Sequence, residues 1–321
     1  MRLPRKYRDA NDLTDLIDRL RDRLLKEREL TLEHMVPIPS DPIDLSAVAA
    51  DAERRVSGCA SALEALVEFG RLVPPINAAD ALADAREATT GSLRALISSA
   101  TFSADGRKVA QRAGSGLGAD ESFWEDVVRR VDHHAQLISF GLILPALRVL
   151  TVEHGFSHAD LVQVCLNAPL IPEDHVNLWA IGLRHGLAED FGSALAILVP
   201  QLEHLIRIVL KRVGVYTLIV DEDGVESEKG LSSLLQADEL GGILGEGMIM
   251  DWRALLVDGQ SVNLRRELAH GLFNDYSAHS HQATFCWWSI LRLTVMSVLS
   301  ARAEPLETDE ATPDPATEQD D

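Results

Sequence analysis

The sequence predicts an all-α protein, and three observations carry that expectation. Apolar residues make up 46% of the 321 positions, yet aromatics are only 5%. Ala and Leu dominate, and the apolar positions recur three and four apart, the period of a helix with one buried face. Alternation of apolar and polar residues, the mark of a half-buried strand, is almost absent. A chain of this length can bury a substantial core as one large or two modest domains, and no tandem repeat is evident.

The elements follow from that spacing. Leu13, Ile17, Leu20 and Leu24 form one stripe of a charged amphipathic helix over 9–35, whose polar face mixes both signs and reads as a solvated or partner-binding surface. Pro37, Pro39 and Pro42 break the chain. A second helix is expected over 45–72, closed by Pro74-Pro75, and a third over 78–102. Gly114-Ser115-Gly116-Leu117-Gly118 is not a phosphate loop, because no strand precedes it and no Walker lysine follows, so it reads as a connector. A helix pair over 120–154 is expected to break near Pro145, and its adjacent His133 and His134 point in different directions.

Short helices are expected over 157–167 and 173–185, the first opened by Ser157-His158-Ala159-Asp160 as a cap. The helix 191–213 carries Leu195, Val199, Leu202, Ile206, Val209 and Val213 on its core stripe, and Pro200 should kink it or mark its start. Residues 216–227 read as a small β-hairpin around Asp221-Glu222-Asp223-Gly224, which lacks the rest of a calcium loop. Short helices over 230–237, 238–244 and 250–257 lead to a motif helix at 261–273. The final helix, 280–301, is apolar nearly all round and should be central, with Arg292 needing a partner if buried. The expected organisation is a helical N-terminal domain (1–187), a second helical domain (188–303) and a disordered acidic tail (304–321).

Fifty acidic against 30 basic residues give a net charge of −20. The tail holds eight acids and no base, whereas residues 200–303 hold 13 acids and nine bases. A broad polyanion-binding surface is excluded by this balance, so any nucleic-acid contact must be local, made by a few arginines. Cys59, Cys165 and Cys286 are isolated and read as reduced core thiols. The basic N-terminus has no apolar stretch behind it, and the run Phe285–Leu299 is short and interrupted by Arg292, so a cytoplasmic protein without a membrane span is expected.

Candidate chemistry concentrates in Asn263-Leu264-Arg265-Arg266-Glu267-Leu268-Ala269-His270-Gly271. Ser261 and Asn263 are candidate N-caps. Two arginines in a first helical turn sit where the dipole disfavours cations, a placement that makes sense when an anion such as phosphate binds there. His270 is the one group of the segment that exchanges a proton near neutral pH. Glu203, Arg207 and Lys211 lie at helical spacing on the 191–213 helix; they form either a solvent stripe or a polar pair facing the motif. His270, His279 and His281 lack a Cys or carboxylate to complete a convincing zinc set, so no metal is expected.

The segment Arg265-Arg266-Glu267-Leu268-Ala269-His270-Gly271 resembles the Arg-Asn-x-x-x-His-Gly signature of a domain family of unknown function. That signature is a form of the Arg-x(4–6)-His motif of the HEPN superfamily (higher eukaryotes and prokaryotes nucleotide-binding). The resemblance runs over residues 195–300, including Leu202-Glu203-His204-Leu205-Ile206-Arg207, Asp251-Trp252-Arg253-Ala254-Leu255-Leu256-Val257 and Trp287-Trp288. It implies a helical bundle and a metal-independent endoribonuclease without cofactor, of the kind found as toxins and in phage defence or stress responses. Arg265 and His270 would be catalytic and are expected to converge on one solvent-accessible pocket with Arg207 or Glu203 within reach, with Arg266, Glu203, Arg207 and Gly271 supporting. RNA would be the substrate, attacked by its own 2′-OH, and a homodimer would place two motifs together; an antitoxin or another protein is an expected partner. Arg266 departs from the family, which has Asn there; it either adds a phosphate contact or lowers the imidazole pKa by like-charge repulsion. Gly271 either admits a close neighbour or stops the helix. The rival reading is a non-catalytic helical interaction module that keeps the motif as a relic.

Overall fold

The computed structural model describes residues 5–10, 13–36, 41–91, 97–102, 108–112 and 120–303. It is an all-α protein carrying two small antiparallel hairpins. The connector at 114–118, Pro37 and Pro39, and the tail 304–321 lie outside the described residues.

The N-terminal elements are α1 (Arg5–Ala10), α2 (Thr14–Glu33), α3 (Ser46–Val56), α4 (Ala62–Gly70) and α5 (Ala78–Gly91). The single helix expected over 45–72 is therefore two. Gly58 takes a left-handed φ of 67°, which an L side chain resists. Ser61 then caps α4 by accepting from the Glu64 amide at 3.1 Å, and Glu64 accepts in return from the Ala60 amide at 2.9 Å. The helix expected over 78–102 also stops early. Its last stretch is β1 (Ser99–Phe102), paired with β2 (Lys108–Arg112).

Next come α6 (Asp120–Ile138) and α7 (Leu144–Glu153), joined by a π-helical turn at Ser139–Ile143. Where a break near Pro145 was expected, the rod continues. The wider π turn accommodates a residue that lacks an N–H and crowds the carbonyl four positions back. α8 (His158–Leu166) starts at a Ser157–Asp160 capping box, and α9 (Val176–Leu187) follows a 3-10 turn at Glu173–His175. α10 (Phe191–Arg212) runs through Pro200 as one helix, and Val213, expected on the core stripe, is instead its exposed C-cap because the helix ends before it. The hairpin expected at 216–227 is present as β3 (Leu218–Val220) and β4 (Glu226–Glu228). Then come α11 (Leu231–Leu234), α12 (Glu239–Leu244), α13 (Glu246–Trp252) with a second π turn at Arg253–Val257, α14 (Leu264–Ala269), α15 (Asp275–Ala278) and α16 (His281–Ala303).

α16 is the axis of the core, as its all-round apolar sequence requires. Phe285, Cys286, Trp287, Trp288 and Leu291 are buried, and the buried side chains on both sides of residue 187 form one contiguous cluster. Tryptophan N–H groups fasten the layers: Trp288 donates to the Phe69 carbonyl at 3.0 Å, Trp179 to Thr294 Oγ1 at 2.9 Å and Trp252 to Ser289 Oγ at 2.9 Å. Gly186 on α9 lets the Trp287 ring occupy the place of a side chain, since a Cβ there would lie 1.9 Å from Nε1. By length and composition, the helical stretches at 123–153, 191–212 and 281–302 are apolar enough to cross a membrane. In the last of these 78% of the most apolar window is covered by the chain itself, so its apolar character is used by the core.

Asp251 and Arg292 mark the seam between α13, α16 and the segment after α4. Asp251 is 2% exposed, accepts from the Ile76 amide and leaves Oδ1 without a partner. Burial pushes its carboxyl up to about 8, against the opposing effects of the Ile76 bond and the Arg292 charge. Arg292, half-buried, donates to the Gly70 carbonyl at 3.4 Å. All three cysteines are free; burial pushes the Cys165 thiol up to about 12 and that of Cys286 further.

Candidate functional site

The approach to the motif is set by local hydrogen bonding. The π turn ends at Asp258, whose amide reaches back to the Arg253 carbonyl at 3.0 Å. Asn263 then adopts a left-handed conformation (φ 50°, ψ 61°), which a short amide side chain tolerates better than most residues. Its Oδ1 accepts from the Arg266 amide at 3.0 Å, and its Nδ2 donates to the Val257 carbonyl at 2.9 Å. Of the two candidate caps, Asn263 performs the role; the Ser261 hydroxyl is buried without a partner. The motif helix is shorter than expected, Leu264–Ala269 in place of 261–273, and Leu264 is its only buried residue.

The far end closes in a Schellman arrangement. His270 is the C-cap, and Gly271 takes a φ of 64°. The Leu272 amide returns to the Glu267 carbonyl at 2.9 Å, and the Gly271 amide to that of Leu268 at 3.4 Å. Nothing lies within 4 Å of a Cβ built on Gly271, so this glycine stops the helix. Glu267 Oε2 accepts from Ser277 Oγ at 2.9 Å and ties α14 to α15.

Arg265 points at α10. Its Nε lies 3.5 Å from Glu203 Oε2, while 41% of its side chain stays exposed. Glu203 also receives Arg207 Nη2 at 3.2 Å. Arg207, only 12% exposed, donates to the Lys229 carbonyl at 3.0 Å, and its Nε sits 2.8 Å from Glu228 Oε2 without hydrogen-bond alignment. Lys211 completes the row through Glu228 at 3.1 Å. The result is an alternating line, Arg265–Glu203–Arg207–Glu228–Lys211, that joins α14, α10 and β4. Of the two residues of the pair, Glu203 faces the motif, whereas Arg207 pairs with Glu203 along α10 and turns to β4, with Lys211 beside it.

Arg266 and His270 stand on another side of α14. Both are exposed, and four residues apart they share a helical face. Among the described residues the His270 imidazole has no hydrogen bond, ion pair or ring contact. The expected convergence of Arg265 and His270 on one pocket is not met within one chain: five positions apart, they lie about 140° apart around a helix, and Arg265 turns to Glu203 while His270 is exposed.

The neighbouring histidines are engaged elsewhere. His204 stacks on His175 with ring centroids 4.2 Å apart, and His175 Nδ1 meets Gln201 Oε1 at 2.5 Å. Burial first, then the charges of His175, Arg207 and Lys211 against that of Asp174, hold His204 below its ordinary pKa. His281 Nε2 lies 3.2 Å from Asp132 Oδ1 on α6. Among the described residues, no group of three or more His, Cys, Asp or Glu side chains is placed to hold a metal ion.

The sequence assigns no role to Trp124, which matters here. Trp124 Nε1 donates to Asp258 Oδ2 at 2.6 Å, and the Arg253 guanidinium lies 4.6 Å over the Trp124 ring. Their signal, one Trp and one Asp separated by 134 residues, has no local signature. In comparisons with known protein families, curated proteins and solved structures, nothing matches this chain.

Proposed function

We propose that the chain is a HEPN-type, metal-independent endoribonuclease of the cytoplasm, acting as a homodimer in phage defence or a stress response. One observation supports it above others: a half-exposed Arg265 is held in place by the largely covered Glu203, while Arg266 beside it and an uncommitted His270 at the far end of the same short helix stand in solvent. An arginine tethered on one side and open on the other is a preorganised donor for phosphoryl oxygens.

His270 takes the proton of a ribose 2′-OH, or in its protonated form gives one to the leaving 5′-oxygen. The 2′-oxygen attacks phosphorus, the bond from phosphorus to the 5′-oxygen breaks, and a 2′,3′-cyclic phosphate and a 5′-OH result. Arg265 neutralises the charge that builds on the phosphoryl oxygens. Because Arg265 and His270 of one chain diverge, a complete site takes Arg265 from one copy and His270 from the second. Arg266, beside His270, adds the second phosphate contact.

His270→Ala and Arg265→Ala each lower RNA cleavage by roughly 10²- to 10⁴-fold, with thermal stability unchanged because neither side chain is buried. DNA of the same sequence resists, lacking the 2′-OH. Cleavage by both variants at the wild-type rate would remove the reading. A second reading, a non-catalytic interaction module with an antitoxin-like or other protein partner, is favoured by α2: none of its described side chains is buried, although Leu16, Leu20, Leu24 and Leu25 lie on it. Wild-type protein that binds RNA or a partner protein without cutting RNA is the outcome that selects it.

A further inference from the structure

We infer that Trp124, far from the motif in sequence, is a positioning residue for the Arg265/His270 helix; the inference rests on the ribonuclease reading for its catalytic consequence, though not for its geometry. Trp124 holds both ends of the π turn that delivers the chain to the motif. Its ring lies under Arg253, the first residue of that turn, at 4.6 Å. Its N–H meets Asp258, the residue that ends the turn, at 2.6 Å. A π turn is a strained insertion in a helix and frequently accompanies a functional site; here it is clamped from outside by one aromatic side chain.

From Asp258 the restraint passes along a short series of bonds. Oδ2 is taken by Trp124, and Oδ1 accepts from the Gln260 amide at 2.7 Å, so each carboxylate oxygen has its own donor. Gln260 leads to Asn263, whose side chain grips the Val257 carbonyl behind it and the Arg266 amide ahead of it. The loop 258–263 is thereby fixed at its start by Trp124 and at its end by Asn263. Val262 and Leu268 pack against the core only in part, and of α14 only Leu264 is fully buried. Where burial is so slight, the angle at which α14 presents Arg265 to Glu203 and His270 to solvent depends on these polar restraints.

The consequence concerns the first half of the chain. α6 lies before residue 188, yet it supplies the side chain that sets the pose of the motif. The site is thus built jointly by both halves, and any partner that shifts α6 also shifts Arg265 and His270.

The test uses the full-length chain with Trp124→Phe, which keeps an aromatic ring beside Arg253 and loses the N–H, and with Asp258→Asn, which leaves one oxygen for two donors. Amide hydrogen exchange read by mass spectrometry should rise about tenfold across 258–266 in both variants, the effect of losing one charge-assisted hydrogen bond, with α9 and α16 unchanged. In RNA cleavage, kcat should fall while KM holds, because the pose of reacting groups is lost and not substrate contact. Unchanged exchange at 258–266 in both variants overturns the inference, and so does a rise spread evenly through α6 and α16. If the wild-type chain cuts no RNA, the ribonuclease reading fails by itself, and the exchange measurement still decides whether Trp124 holds the motif. Should Trp124→Phe fail to fold, Asp258→Asn carries the same comparison.

Discussion

α16 and α14 carry the two most distinctive stretches of the sequence, and they are held in opposite ways. α16 is gripped by burial: Trp287, Trp288, Phe285 and Leu291 are shielded from water, and neighbouring tryptophan N–H groups are satisfied across the interface. α14 buries only Leu264 and is held by an N-cap, a glycine stop, one carboxylate–hydroxyl bond and an ion pair. Burial is strong and undirected, whereas hydrogen bonds are individually weak and specify orientation. The chain spends its apolar residues on one scaffold helix and leaves the motif to directional contacts, which keep polar side chains exposed at a fixed angle.

The largest expected effect lies on the α16 side of this contrast. Trp287→Ala should cost about 3–5 kcal/mol, read as a fall in the urea midpoint. Gly186→Ala should also destabilise, since its Cβ would lie 1.9 Å from the Trp287 ring nitrogen. A Trp287→Ala protein as stable as wild type would mean that α16 is not the axis of the core.

Asp251, at the seam of the scaffold, sharpens the comparison through pH. Its folded pKa, about 8, is raised from an ordinary 3.8. Between those values the folded chain keeps a proton that the unfolded chain has released, so stability falls as pH rises. The loss is at most about 1.4 kcal/mol per pH unit and levels off above the folded value. Asp251→Asn has no such proton to lose. Melting curves should show the variant gaining on wild type from pH 5 to pH 8, and parallel curves would refute the buried acid.

The smallest effects belong to α14. Gly271→Ala, placed at a φ of 64°, should cost about 1 kcal/mol, and Asn263→Ala a similar amount through the lost cap. Both should fray the motif helix, visible as faster amide exchange at 264–270, without lowering the overall melting temperature by more than a few degrees. A global collapse from either substitution would show that α14 supports the core after all.

What was legible in the sequence was local. Helical spacing located the 191–213 and 280–301 helices to within a few residues, and the turn residues around Asp223-Gly224 located the β3–β4 hairpin. The Ser157–Asp160 cap is plain in the sequence, whereas the Ser61 cap that separates α3 from α4 lies inside a continuous apolar period that masks it. Neither π turn was foreseen, since one added residue per turn leaves hardly a trace in the apolar period.

The sequence by itself therefore determined the all-α class and the central apolar helix, because these depend on contacts three to five residues apart, and it nominated Arg265, Arg266, His270 and Gly271 as candidates from one contiguous motif. Tertiary structure alone decided that Arg265 faces Glu203 while His270 turns to solvent, and that Trp124 reaches across 134 residues to Asp258. Those outcomes depend on where two surfaces meet after folding, and a residue's polarity and spacing carry no record of which distant partner it will find.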